Sequence, residues 1–159
     1  ARVDKCTSLQ QAISMLGLSH IRSWASLLAL GNLDDKPLAL RQSSLERAII
    51  CQKFGEHMGQ FPNTDYYTVG LFSLLDAFLD RPIEEIIDSL SLPQEMEDGI
   101  LLANGTLGLA LETAKCFQEG RLGDLRLAEL AQYQLDQPNM DRLYKESLLE
   151  SDQQVKDLN

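Results

Sequence analysis

A chain of 159 residues with 44% hydrophobic and 24% charged side chains has ordinary globular composition, enough for one domain with a single core. Its 24 acidic and 14 basic residues leave a net charge of −10, which repels phosphate backbones and anionic lipid and argues against nucleic-acid and membrane-surface roles. No apolar run approaches the ~20 residues of a membrane span, and the N-terminal stretch from Ala1 to Cys6 lacks the apolar segment of a signal peptide. Three widely spaced cysteines form no CxxC pair; Cys51 and Cys116 read as small core residues, and Cys6 could be an exposed thiol. These features describe a soluble protein of the reducing cytoplasm.

Helical punctuation recurs along the chain and alternating strand patterns do not. Ser8 opens a short helix with capping-box spacing, closed at Gly17. Ser19 begins a second, with Ile21, Trp24, Leu27, Leu28 and Leu30 at helical spacing, and residues 32–42 read as a loop. Ser43 and Glu46 form another capping box, ahead of an apolar face of Leu45, Ile49, Ile50, Phe54 and Met58 that ends before Gly59. The segment from Asp65 to Leu79 is apolar nearly all round and predicts one central helix. Pro82, with Glu84 and Glu85 after it, opens the next. Further helices are predicted from Gln94 toward Leu102, from Leu107 to Glu119, from Asp124 to Leu135 and from Asn139 to Leu158, with Pro138 separating the last two. About nine short helices without strands predict an all-α, irregular multi-helix array forming one domain over residues 1–159, of which 121–159 are the C-terminal helices.

Catalytic chemistry is hard to find. His20 and His57 have no other histidine or cysteine within four positions, so neither begins a metal motif such as HxxxH, and His57 near a helix end is already favoured by the dipole. There is no GxSxG elbow or P-loop, and Gly105-Thr106-Leu107-Gly108 lacks the strand and spacing of a phosphate cradle. Glu84, Glu85 and Asp88 form the densest acidic group and read as a solvated helix start. Asp76 stands apart, because it lies in the most apolar segment of the chain. A charge there has to be paired or to change its pKa: Asp76 reads as half of a buried ion pair, with Arg22 and Arg47 as candidate partners, or as a cap for a neighbouring helix. No catalytic residue, metal or cofactor is expected.

Three segments carry a family resemblance. The stretch from Ser8 to Arg22 resembles the region of HDOD (HD-related output) domains that reads roughly aIxxLGxxxlr. Tyr67 to Asp76 resembles the helix that, in the wider HD superfamily, carries the metal-binding His-Asp dyad within GLLHDIG, and Leu143 to Leu148 looks like the C-terminal lYxxAL helix. The details around Gly70 to Leu79 are most similar to the branch in which an EAL domain, a cyclic-di-GMP phosphodiesterase or its inactive relative, precedes the HDOD domain. Aligned on Gly70 and Leu71, the dyad falls on Ser73 and Leu74, and the segment Leu45 to Cys51 lacks the upstream histidine. The resemblance therefore implies an HD-type helical fold with its metal ligands missing. It also implies that further helices precede Ala1, so that the chain begins inside the domain. The expected role is a non-catalytic signalling module of a bacterial protein, bound to a protein partner: its own EAL domain or a second copy, as a homodimer. Loss of preceding helices would uncover Ile21, Trp24 and Leu28, the candidate interaction surface. The alternative is a degenerate metal-dependent phosphohydrolase using Asp76 with other carboxylates.

Overall fold

In the computed structural model, which describes residues 36–158, Pro37 stands at the head of a long helix, α1 (Leu38–Met58). Its ring fixes φ near the observed −59°, and it has no N–H to leave unsatisfied there. The helix thus starts before the Ser43–Glu46 capping box, which lies within it, and the segment read as a loop to Gln42 is helical from Leu38. Gly59 ends α1 in the left-handed region at φ 66°, donating its N–H to the Gly55 carbonyl at 2.9 Å.

The predicted central helix is broken in two: α2 (Asn63–Phe72) and α3 (Leu75–Leu79). The cause sits at the joint. The Ser73 hydroxyl donates to the Gly70 carbonyl at 2.7 Å, bending the last turn, and Leu74 at φ −110°, ψ 9° leaves the helical region. Next come α4 (Ile83–Leu90) and α5 (Gln94–Leu102), each entered from a proline, and α6 (Gly105–Glu119), stopped by left-handed Gly120. The helix predicted from Asp124 to Leu135 shrinks to a 3-10 turn at Leu122–Asp124 and a short α7 (Leu127–Ala131). There Arg126 grips Glu129 through Nε and Nη2 and also donates from Nη1 to the Ala103 carbonyl at 2.9 Å, so tertiary bonding fixes the bend. The last helix, α8 (Gln137–Leu158), takes Pro138 into its first turn, with the Asp136 side chain accepting the Asn139 N–H at 3.0 Å. Pro138 therefore starts this helix rather than separating two. Among the described residues there are eight α-helices and one 3-10 turn, an all-α irregular array without strands. The helices predicted at Ser8 and Ser19 lie outside the described residues.

Helix α1 is the central member, packed against α2, α6 and α8. Its Leu45, Ile49, Ile50 and Phe54 are wholly buried, and full burial of such a side chain stabilises by ~1.5–3 kcal/mol. Cys51 and Cys116 are buried too, and burial pushes the Cys51 thiol up to about 12, leaving it inert at neutral pH. Phe117 of α6 meets Phe54 of α1 at 5.9 Å and Tyr144 of α8 at 4.9 Å between ring centroids, tying three helices together. Lys53 and Glu150 join α1 to α8 by an ion pair at 2.8 Å. Among the described residues no helix is long and apolar enough to cross a membrane.

The α1–α2 contact depends on two glycines. Gly55 receives the flat ring of Tyr66, and a Cβ at Gly70 would lie 2.8 Å from both the Ala48 Cα and the Arg47 carbonyl oxygen. These neighbours are backbone and cannot rotate away. Gly70→Ala should lower unfolding free energy in urea titration by about 2–3 kcal/mol, the cost of an overpacked helix contact. Gly123→Ala, where the added methyl meets open space, should change it by less than ~0.5 kcal/mol.

Candidate functional site

Close packing at Gly70 places the middle of α1 against the end of α2, and the side chain that enters this joint is Arg47. It is 9% exposed. Its Nη1 donates to the Ser73 Oγ at 3.2 Å and its Nε to the Gln118 Oε1 of α6 at 2.7 Å. Gln118 in turn donates from Nε2 to the Ser43 carbonyl at 3.0 Å and to Glu46 Oε1 at 3.3 Å, both on α1. One polar chain thus runs from α2 through α1 to α6. Among the described residues no carboxylate lies in ion-pair contact with Arg47, so neutral oxygens solvate its charge.

Electrostatics follow from burial. Loss of water pulls the Arg47 pKa below its usual value, while the fields of Glu119, Asp76 and Glu112 act the other way; the guanidinium remains a cation at any ordinary pH. Half-buried Glu46 is pushed up from its usual carboxylate range, chiefly by burial and further by Asp152, with the Gln118 bond opposing.

The positions assigned to the missing dyad, Ser73 and Leu74, are half-buried at the α2–α3 break instead of inside a continuous helix. Asp76 overturns the expectation of a buried ion pair. It is exposed in the first turn of α3, where its Oδ1 accepts the Ala77 N–H at 2.9 Å. Because the chain breaks at Leu74, the polar face of the restarted helix turns to solvent, and Asp76 reaches Arg47 only as a field. Arg22, its other named partner, and the surface residues Ile21, Trp24 and Leu28 lie outside the described residues. Sequence reasoning missed Gln118, whose partner Arg47 is 71 positions away in the chain; nothing local marks it apart from its place beside buried Phe117.

The residues at this joint do not fit a divalent ion. Leu74 has no donor atom, Ser73 is engaged by a guanidinium, and a fixed positive charge occupies the space between the helices. Among the described residues no group of three His, Cys, Asp or Glu side chains could hold a metal.

Comparison with known proteins places the chain beside two relatives. It is 31% identical over 115 residues, 71% of its length, to the cyclic di-GMP phosphodiesterase CdgJ of Vibrio cholerae. It is 30% identical over 149 residues, 91% of its length, to the uncharacterized protein YuxH of Bacillus subtilis. The matched stretches are 27% and 36% of those proteins, so the chain spans about a quarter to a third of the length of the curated relatives it matches. No protein-family model matches the chain, and no solved structure does.

Two outcomes test the polar chain. Ser73→Ala removes an acceptor from a buried cation and should cost about 1.5 kcal/mol in denaturant unfolding. That exceeds the cost of Ser147→Ala, whose hydroxyl back-bonds to the Leu143 carbonyl. Glu46 has its pKa raised above the unfolded value, so its ionised form is disfavoured in the fold, and the penalty is present at neutral pH and disappears once pH falls below about 4.5, where both states are protonated. Glu46→Gln should therefore raise the melting temperature at pH 7, with the gain vanishing near pH 4.

Proposed function

We propose that this chain is a non-catalytic interaction domain of the HDOD type, acting within cyclic-di-GMP signalling in the bacterial cytoplasm. Its partner is a protein: an EAL domain of the same polypeptide or a second copy of the chain. The relationship to a cyclic di-GMP phosphodiesterase over 71% of the chain supports the signalling context. The observation that carries the non-catalytic reading is the Arg47–Ser73 contact at 3.2 Å, a fixed cation at the position where the HD resemblance would put metal ligands. A guanidinium there repels a divalent ion and leaves no open coordination position to activate water.

The alternative is a metal-dependent phosphohydrolase built on Asp76. That carboxylate is exposed and engaged with its own helix start, which supports the first reading. Purified chain should contain no stoichiometric manganese, iron or zinc by elemental analysis. With added manganese it should hydrolyse cyclic di-GMP no faster than buffer. Stoichiometric metal together with hydrolysis that disappears in Asp76→Asn would establish the enzyme instead.

A further inference from the structure

Between the start of α6 and the α1–α2 connection lies a cavity of about 210 Å3, with Phe61, Glu95, Asp98, Thr106 and Leu107 among its walls. A second, of about 190 Å3, adjoins it: the two share Gln60, Gly105 and Thr106, and the second is lined also by Gln132 and Tyr133. Together they reach the ~300–1,000 Å3 of small-molecule sites. Unspent hydrogen-bond donors meet at the shared wall. Asn104 gives α6 no side-chain cap, and among the described residues the N–H groups of Gly105, Thr106 and Leu107 have no acceptor. Thr106 adds an independent sign. It is 6% exposed, and its Oγ1 takes the proton of the buried Tyr66 hydroxyl at 3.0 Å. Two hydroxyls carry two protons and share one bond, so one proton is left without an acceptor among the described residues. Buried polar groups in native proteins are satisfied, by water or a ligand where the chain offers no partner.

Acceptors lie alongside these donors. Glu95 has no hydrogen bond or ion pair among the described residues, and the Asp98 carboxylate accepts a single bond, from Gln94 Nε2 at 2.8 Å. The carboxylates repel an anion, and the helix N-terminus disfavours a cation. A neutral group with a carbonyl oxygen beside N–H donors satisfies both. The room exceeds what a carboxamide fills, and Phe61, set edge-to-face against Tyr66 with 6.3 Å between ring centroids, offers a flat apolar wall. We infer that this cavity binds the lactam edge of a guanine base. The base carbonyl accepts from the Thr106 hydroxyl and the first N–H groups of α6, its ring N–H and amine donate to Glu95 and Asp98, and its ring lies against Phe61. Adenine has an amine where guanine has the carbonyl, which sets donor against donor. The second cavity, toward Gln132 and Tyr133, is left for the sugar. This adds a ligand to the interaction-domain reading and does not depend on it.

The test follows the backbone amides of the whole, isotopically labelled chain by NMR during titration with guanosine, a probe without phosphate charge. The Gly105, Thr106 and Leu107 amides should shift and saturate. Adenosine at the same concentrations should leave them in place, and inosine, which lacks the amine, should bind at least ~3-fold more weakly. Glu95→Gln should raise the guanosine Kd at least ~10-fold, and Glu84→Gln, an exposed acid outside the cavity, less than ~2-fold. Thr106→Val should abolish the shifts; because it also removes the acceptor of Tyr66, Glu95→Gln and the base series decide the matter if that variant does not fold. Equal shifts with adenosine would mean stacking on Phe61 alone, and acetamide moving the same amides as strongly would make the occupant a protein carboxamide. Either result, equal effects of Glu95→Gln and Glu84→Gln, or no saturable shift, with water alone in the cavity, would overturn the guanine site. Cyclic di-GMP moving these amides at lower concentration than guanosine would identify a nucleotide as the source of the base, and the reverse order a free nucleoside. Metal-dependent hydrolysis would overturn the interaction-domain reading and leave the guanosine result unchanged, so the two failures are distinguishable.

Discussion

The contact between α1 and α2 at Gly70 is the constraint on which the other described features depend. With no side chain at this position the end of α2 reaches the backbone of Ala48 and Arg47, and Gly55 lets the Tyr66 ring lie flat on α1 at the opposite end of the contact. The Tyr66 hydroxyl then reaches across to donate to Thr106 Oγ1 of α6 at 3.0 Å, a buried bond that sets the third helix. From that pair the aromatic chain Phe54, Phe117 and Tyr144 carries the packing on to α8. The glycine contacts are steric fits against a ring and a backbone, so the α1–α2 pair has little room to slide.

Close approach has an electrostatic consequence. Arg47 precedes Ala48 on α1, and once the helices meet its guanidinium has nowhere to go except the joint between α2 and α6. A buried cation is tolerable only when its donors are satisfied, and Ser73 and Gln118 supply the oxygens. The same serine takes the Gly70 carbonyl and breaks the helix, so the charge, the kink and the solvent-facing turn of α3 are one event. An ion-binding joint would need negative or neutral donors facing inward. Here the positive charge belongs to the protein itself.

The surface is organised differently. Acidic residues gather at the first turns of α4 and α5, where the dipoles reward them, and Arg121 and Arg126 each hold two contacts that stabilise the irregular segment after α6. Exposed pairs of this kind are worth little individually. Leu125, Leu130 and Leu135 anchor this stretch in the core, and the polar contacts fix the path between them.

The sequence by itself determined the fold class and most helix limits, because these depend on neighbours in the chain. The periodicity of Leu45, Ile49, Ile50, Phe54 and Met58 reported the buried face of α1, Gly59 reported its end, and Pro82 reported the start of α4. That Ser73 and Leu74 do not have metal-ligand side chains was equally legible, since it is a matter of residue type. Only the tertiary structure decided what fills that place. Arg47 donates to the hydroxyl at the break, and the Arg47–Gln118 bond joins residues 71 positions apart. Asp76 looked buried because a continuous helix would have carried it inward, and it is exposed because a hydrogen bond three residues earlier ended that helix. Local pattern fixes which way a regular helix faces; it does not fix where a serine hydroxyl folds back to interrupt that helix, and the guanidinium sharing this hydroxyl comes from 26 positions away.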